Sequence, residues 1–228
     1  MARLTSILAA AVFLWSAGPV AAQQTLNLTL GAFVPRGEDA RVRGDVLNEN
    51  RRDLLFDVSD FTGPVIGGEW LVPLGPVIEA SAGVAFHRRT VASIYERLVD
   101  SDGSEIEQDL RLRVVPAEFT LRVLPLGQRA VVQPYVGAGL GVFWWRYSEA
   151  GEFVSSSNTV FRDQYVATGS ATGPVVVAGV RFADADFAVG GEVRYRQADV
   201  ALGPEFAGAN PRLDLGGWIY QVTIGRRF

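Results

Sequence analysis

The sequence predicts an all-β fold: an eight-stranded antiparallel up-and-down transmembrane β-barrel. Three observations lead there. An export signal at the N-terminus is followed by no apolar run long enough for a spanning helix, so a chain that enters a membrane after export must cross it with strands. Eight later segments place apolar residues at every second position. The connections between these segments are short and long in turn, so that one end of a meander is trimmed and the other is elaborated.

The export signal is read from Met1-Ala2-Arg3, an apolar stretch over 4–17, the helix-breaking pair Gly18-Pro19 and the small residues Val20-Ala21-Ala22. Cleavage is expected after Ala22, giving a signal peptide over 1–22 and a barrel domain over 23–228. Gln23 rather than Cys follows, which argues against a lipid-anchored N-terminus. The expected location is the bacterial outer membrane.

The strand segments are 26–34, 61–72, 77–87, 110–124, 131–147, 172–182, 187–197 and 213–228. In the first, Leu26, Leu28, Leu30, Ala32 and Val34 share one face; in the third, Ile78, Ala80, Ala82, Val84 and Phe86 do. In the fifth, Val136, Ala138, Leu140 and Val142 oppose Gly137, Gly139 and Gly141, glycines that leave room for bulky neighbours in a narrow lumen. The short turns lie near 73–76, 125–130 and 183–186. The long connections, 35–60, 88–109, 148–171 and 198–212, are read as extracellular loops facing partners. A ten-stranded count requires one of them to fold as a hairpin, with 159–166 the best extra strand; strands extended above the membrane are the other possibility. A bulge at Pro116 would flip Arg111 and Arg113.

Charge distinguishes a membrane barrel from a soluble one. Opposite the apolar faces, in mid-strand, stand Glu69, Glu79, Glu118, Arg122, Arg181, Glu192 and Arg194. Both signs recur, which suits a lumen filled by compensating ion pairs. Trp70, Trp144, Trp145, Tyr147 and Trp218 stand near strand ends, where aromatic side chains anchor at headgroup level.

The last strand carries a resemblance. Trp218, Tyr220, Val222, Ile224 and the terminal Phe228 repeat at second places, and this resembles the C-terminal assembly signal of bacterial outer-membrane proteins; Arg226 departs from it. The run from Gln133 to Gly141 resembles a strand common in the small barrels of the OmpA-barrel, OmpX and OmpW group. The resemblance implies contact with outer-membrane lipid and lipopolysaccharide, and assembly by the barrel-assembly machinery through the C-terminal strand.

Composition excludes much else. Hydrophobic residues make 48% of the 228 and charged residues 20%, enough for a folded core. Lys and Arg total 21 against 25 Asp and Glu, a formal charge of -4, with no basic footprint for nucleic acid. The chain has no Cys and a single His, His87, which excludes thiol catalysis, Cys-ligated metals and multi-His sites. No cofactor, metal or catalytic residue is expected. An enzyme would need His87 as base, with Ser81 or Ser93 nearby, and no motif surrounds either. Arg43-Gly44-Asp45 matches a tripeptide that adhesins display, a match short enough to arise by chance; Arg36, Arg41, Arg43, Arg51 and Arg52 could pair with lipopolysaccharide phosphates, but a solvated charged loop is the preferred reading. The leading expectation is a structural or surface-interaction protein. The alternatives are a narrow channel or conduit for small, including hydrophobic, molecules and, third, a lipid-modifying enzyme.

Overall fold

Leucines at 26, 28 and 30 alternate with Asn27, Thr29 and Gly31, and this period of two builds β1 (Thr25–Pro35) with its leucines pointing outward. The same rule generates β2 (Gly63–Pro73), β3 (Ile78–Val99), β4 (Glu105–Val123), β5 (Val132–Val154), β6 (Val160–Ala183), β7 (Phe187–Arg196) and β10 (Gly217–Arg227). Each pairs antiparallel with its neighbour, and β10 returns to β1, closing an eight-stranded barrel with no free edge. The structure is a computed structural model and describes residues 23–155 and 157–228. The expected signal peptide lies outside the described residues. No described helix is long and apolar enough to cross a membrane.

The three expected short turns fall between β2 and β3, β4 and β5, and β6 and β7. At that end Gln24 and Phe228 exchange backbone hydrogen bonds, so both ends of the described chain meet there. This is the turn end; the opposite one is the head end.

Two of the expected loops are not loops. Residues 88–109 and 148–171 continue the strands as two long hairpins, β3–β4 and β5–β6, reversing at 100–104 and 155–159. Residues 159–166 form no separate strand, being mostly the start of β6, and the count stays at eight. Pro116 pairs with Phe143 in unbroken register, so Arg111 and Arg113 keep the outward face; the irregularity in this hairpin lies at 94–99.

The other two connections fold into a plug. Residues 36–62 contain a 3-10 turn (Glu38–Ala40), a single helical turn (Val46–Asn50) and a second 3-10 turn (Val58–Phe61). Residues 197–216 hold the two-stranded ribbon of β8 (Asp199–Ala201) and β9 (Arg212–Asp214). Asp45 caps the helical turn, its carboxylate accepting from the Leu47 and Asn48 amides.

Candidate functional site

The exterior between the turns and the hairpin extensions is apolar. Leu28, Phe119, Leu121, Val136, Leu140 and Val222 are among the residues standing exposed there. The interior is charged. This is a soluble protein turned inside out, and it places hydrocarbon around the barrel and polar groups within.

Inside, Glu69, Glu79, Glu118, Arg122, Arg181, Glu192 and Arg194 are all buried and converge in one network. Glu69 Oε1 accepts from Arg122 Nη2 at 2.5 Å and from Arg194 Nη2 at 2.6 Å. Arg194 also reaches Glu118 (2.5 Å) and Glu192 (2.6 Å). Arg122 Nη2 lies 3.1 Å from Glu192 Oε2. Arg181 donates both terminal nitrogens to Glu79 at 3.0 and 2.7 Å, a bidentate clamp, and its Nε to Gln133 at 2.7 Å. Tyr135 and Gln221 each donate to Glu192 at 2.8 Å.

Glycines make the room. A Cβ at Gly137 would stand 2.9 Å from Cγ of Arg122, and one at Gly179 2.5 Å from the Tyr135 hydroxyl. Large charged side chains therefore cross the lumen past strands that carry none at that height.

Sequence reasoning missed Arg196. It is buried at 1% exposure, its guanidinium stacked 4.6 Å from the Phe33 ring and 5.5 Å from Phe143, with Glu118 Oε1 3.8 Å away. Counting it, Glu69, Glu79, Glu118 and Glu192 are matched by Arg122, Arg181, Arg194 and Arg196, and this set is electrically neutral.

Above the network the plug closes the head end. Val46, Leu47, Phe61, Phe206, Leu213 and Leu215 pack with Leu110, Leu112, Val114 and Phe143 of the strands in one buried apolar cluster. Trp145 and Tyr147 belong to the same cluster. That corrects their assignment to the membrane interface: Trp144 points outward, so the alternation turns 145 and 147 inward. Trp70 and Trp218 are exposed on the outer surface near strand ends; Trp144 is exposed there too but lies mid-strand, because β5 runs on to Val154; Tyr220, Val222, Ile224 and Phe228 are exposed along the end of the chain.

Polar clamps fix the plug. Arg41 grips Asp45 at 2.7 and 2.9 Å, and Asp45 accepts from the Asp214 amide at 2.8 Å. Asn50 donates to Glu149 at 2.6 Å and Tyr147 donates to the same oxygen at 2.8 Å. Burial raises the Glu149 pKa from its ordinary value, against the pull of these two donors.

The structure bears on both features of the first connection, the tripeptide and the arginines. Asp45 of the Arg43-Gly44-Asp45 tripeptide is buried beneath Arg41 and caps a helix, so it is not displayed. Of the five arginines in it, Arg41 pairs with Asp45, Arg51 with Glu38 and Asp57, and Arg52 with Glu49 within the connection, while Arg36 pairs with Asp214 of the other connection; Arg43 stands exposed with no ion pair among the described residues.

His87 faces the lumen against Phe33, ring centroids 4.9 Å apart, with Nδ1 3.1 Å from the Pro64 carbonyl oxygen. Neither nearby serine reaches it: Ser81 bonds Thr120 at 2.7 Å, and Ser93 donates to the Gln108 carbonyl at 3.0 Å.

No family model matches the sequence. No curated protein matches it either. Among solved structures the chain is similar to Ail, the attachment invasion locus protein of Yersinia pestis, at 10% identity and a TM-score of 0.46, over 91% of this chain and 99% of that one. It is also similar to Neisserial surface protein A, at 10% identity and 0.46, over 90% and 97%. A third is the N-terminal barrel domain of OprF from Pseudomonas aeruginosa, at 12% identity and 0.39, over 90% and 97%.

Proposed function

We propose that the chain is a closed, non-enzymatic barrel of the bacterial outer membrane, a structural or surface-presenting protein whose folded head end faces outward. One observation carries this reading: a neutral network of interlocked ion pairs fills the lumen, and an apolar plug seals it from above. An eight-stranded barrel is only wide enough for side chains to fill. Here those side chains are large, paired and buried, and water or solute would have to break several charge-assisted bonds to pass. The partner-facing surface is then a rigid head of two hairpins and a clamped plug rather than four mobile loops.

The same closure weighs against the channel or conduit. Against the lipid-modifying enzyme weigh the partners of His87, Ser81 and Ser93, which join into no nucleophile–base pair.

Reconstitution into planar lipid bilayers tests the proposal. A silent bilayer is expected, for the native chain and for Arg181→Gln, which loosens only the turn end of the network. Resolved conductance steps from the native chain would return the channel reading to first place. Turnover of phospholipid or lipid A by the purified protein would return the enzyme.

A further inference from the structure

The strand register places three arginines side by side on the outside of the barrel. Arg88 of β3 lies directly opposite Arg113 of β4, and Arg113 directly opposite Arg146 of β5. All three are exposed and share the outward face with Phe86, Val115 and Trp144, which occupy the row immediately below. Arg111 stands outward in the row above, donating to Thr90 at 3.0 Å.

Like charges directly opposed across a ladder are destabilising. Elsewhere on the same outer surface the ladder obeys this rule: Glu152 and Arg162 are cross-strand partners and pair at 3.0 Å. The arginine row breaks it twice in succession. On one side the β2 register, ending at Val65 opposite His87, leaves Pro64 as the next residue, and on the other Thr168 pairs with Arg146; neither offers a carboxylate, and none of the three arginines makes an ion pair or side-chain hydrogen bond among the described residues. The row also marks the height at which the exterior changes. Below it the outward residues of these strands are apolar for the whole membrane-spanning stretch; in the row above stand Thr90, Arg111 and a buried Ser148, and in the next Asp109 between Ala92 and Ala150.

We propose that Arg88, Arg113 and Arg146 form a binding site for the phosphate groups of a phosphorylated glycolipid in the outer leaflet. The proposal rests on the outer-membrane reading. Three guanidiniums on adjacent strands, spaced about 4.8 Å apart, span about 10 Å, a width that engages more than one phosphate oxygen or two neighbouring phosphates. Phe86, Val115 and Trp144 beneath receive the acyl chains of the same molecule. An amphiphile with its anion above and its hydrocarbon below fits both rows; a free anion fits only one.

The test uses the full-length barrel in zwitterionic nanodiscs, its insertion first established by a heat-dependent shift in gel mobility. Three probes are titrated: lipopolysaccharide, the same glycolipid after enzymatic dephosphorylation, and inorganic phosphate. Native protein is expected to prefer the phosphorylated glycolipid, and the triple variant Arg88→Gln, Arg113→Gln, Arg146→Gln to lose affinity on the order of 100-fold at low salt, a factor of about five per arginine. Arg162→Gln, on the same surface but already paired, should leave binding unchanged.

Equal affinity for the dephosphorylated probe, or an unaltered triple variant that still shows the heat shift, overturns this proposal alone. Competition by inorganic phosphate at comparable concentration overturns the lipid as its source. A native chain without the heat shift overturns the membrane reading and this one with it.

Discussion

Glu69 and Arg196 show how unequal the charges inside this barrel are. Glu69 shares one oxygen between Arg122 and Arg194, so its loss leaves two buried guanidiniums short of a partner. Removing one member of a buried pair costs about 3–5 kcal/mol, and Glu69→Ala is expected to lower the urea midpoint of the folded barrel accordingly. Arg196 donates no hydrogen bond and lies against two aromatic faces, contacts that a methionine of similar length keeps. Arg196→Met should therefore cost distinctly less than Glu69→Ala, by tryptophan fluorescence during unfolding; an equal loss would mean that long-range attraction to Glu118 dominates. The sequence yields most of this network because the strand period assigns each mid-strand charge to the inner face. Arg196 obeys the same period, two places beyond Arg194 and four beyond Glu192, and escapes notice only by standing at the strand end. The aromatic grouping puts Trp145 and Tyr147 at the interface for a related reason: position along a strand overlooks that adjacent residues point to opposite sides.

Among the elements, the hairpins were hardest to read, and β4 shows why. Its outward residues are apolar from Val123 to Val115 and then charged at Arg113, Asp109 and Glu107. Its inward residues do the reverse, from Arg122 and Glu118 to Val114, Leu112 and Leu110. The backbone alternation is unbroken, yet the polarity exchanges faces where the strand leaves the membrane, because outside is now water and inside is the plug. The sequence reading therefore starts this strand only at Leu110 and takes 88–109 for a polar connection, because beyond Leu110 the outward places carry Asp109 and Glu107, as a loop would. The plug was illegible for another reason: its helix is a single turn, too short to show a period. Its attachment carries a pH dependence. Glu149 is buried where the helical turn meets β5, and burial holds its pKa above the ordinary 4.5. A carboxyl whose docked pKa is raised binds its proton more tightly when docked, so docking is strongest below about pH 4.5 and weakens as pH rises through the raised value. Protease protection of residues 36–62 is expected to fall over that interval in the native chain. Glu149→Gln keeps an acceptor for Asn50 and Tyr147 without the charge, and should hold protection flat. Parallel pH profiles for the two proteins would place the sensitivity elsewhere.

At the scale of the whole molecule, closure depends on the first and last strands finding each other, since β1 and β10 pair over their full length only after the six intervening strands are arranged. The last side chain, Phe228, faces outward at 66% exposure while its backbone exchanges hydrogen bonds with Gln24. The ring thus adds little to packing within the closed barrel, and its repeat with Ile224, Val222 and Tyr220 suits recognition before closure. These two roles separate experimentally. Phe228→Ser keeps the backbone bonds, so protein refolded into detergent or lipid should show a heat-dependent mobility shift and an unfolding midpoint close to native. If the assembly apparatus reads this ring, the same variant should in cells reach the outer-membrane fraction in severalfold lower amount. Native yield in the membrane fraction would remove the terminal aromatic from any recognition signal. A variant that also refolds poorly in vitro would show that the ring stabilises the seam itself, through contact with the lipid around β1 and β10.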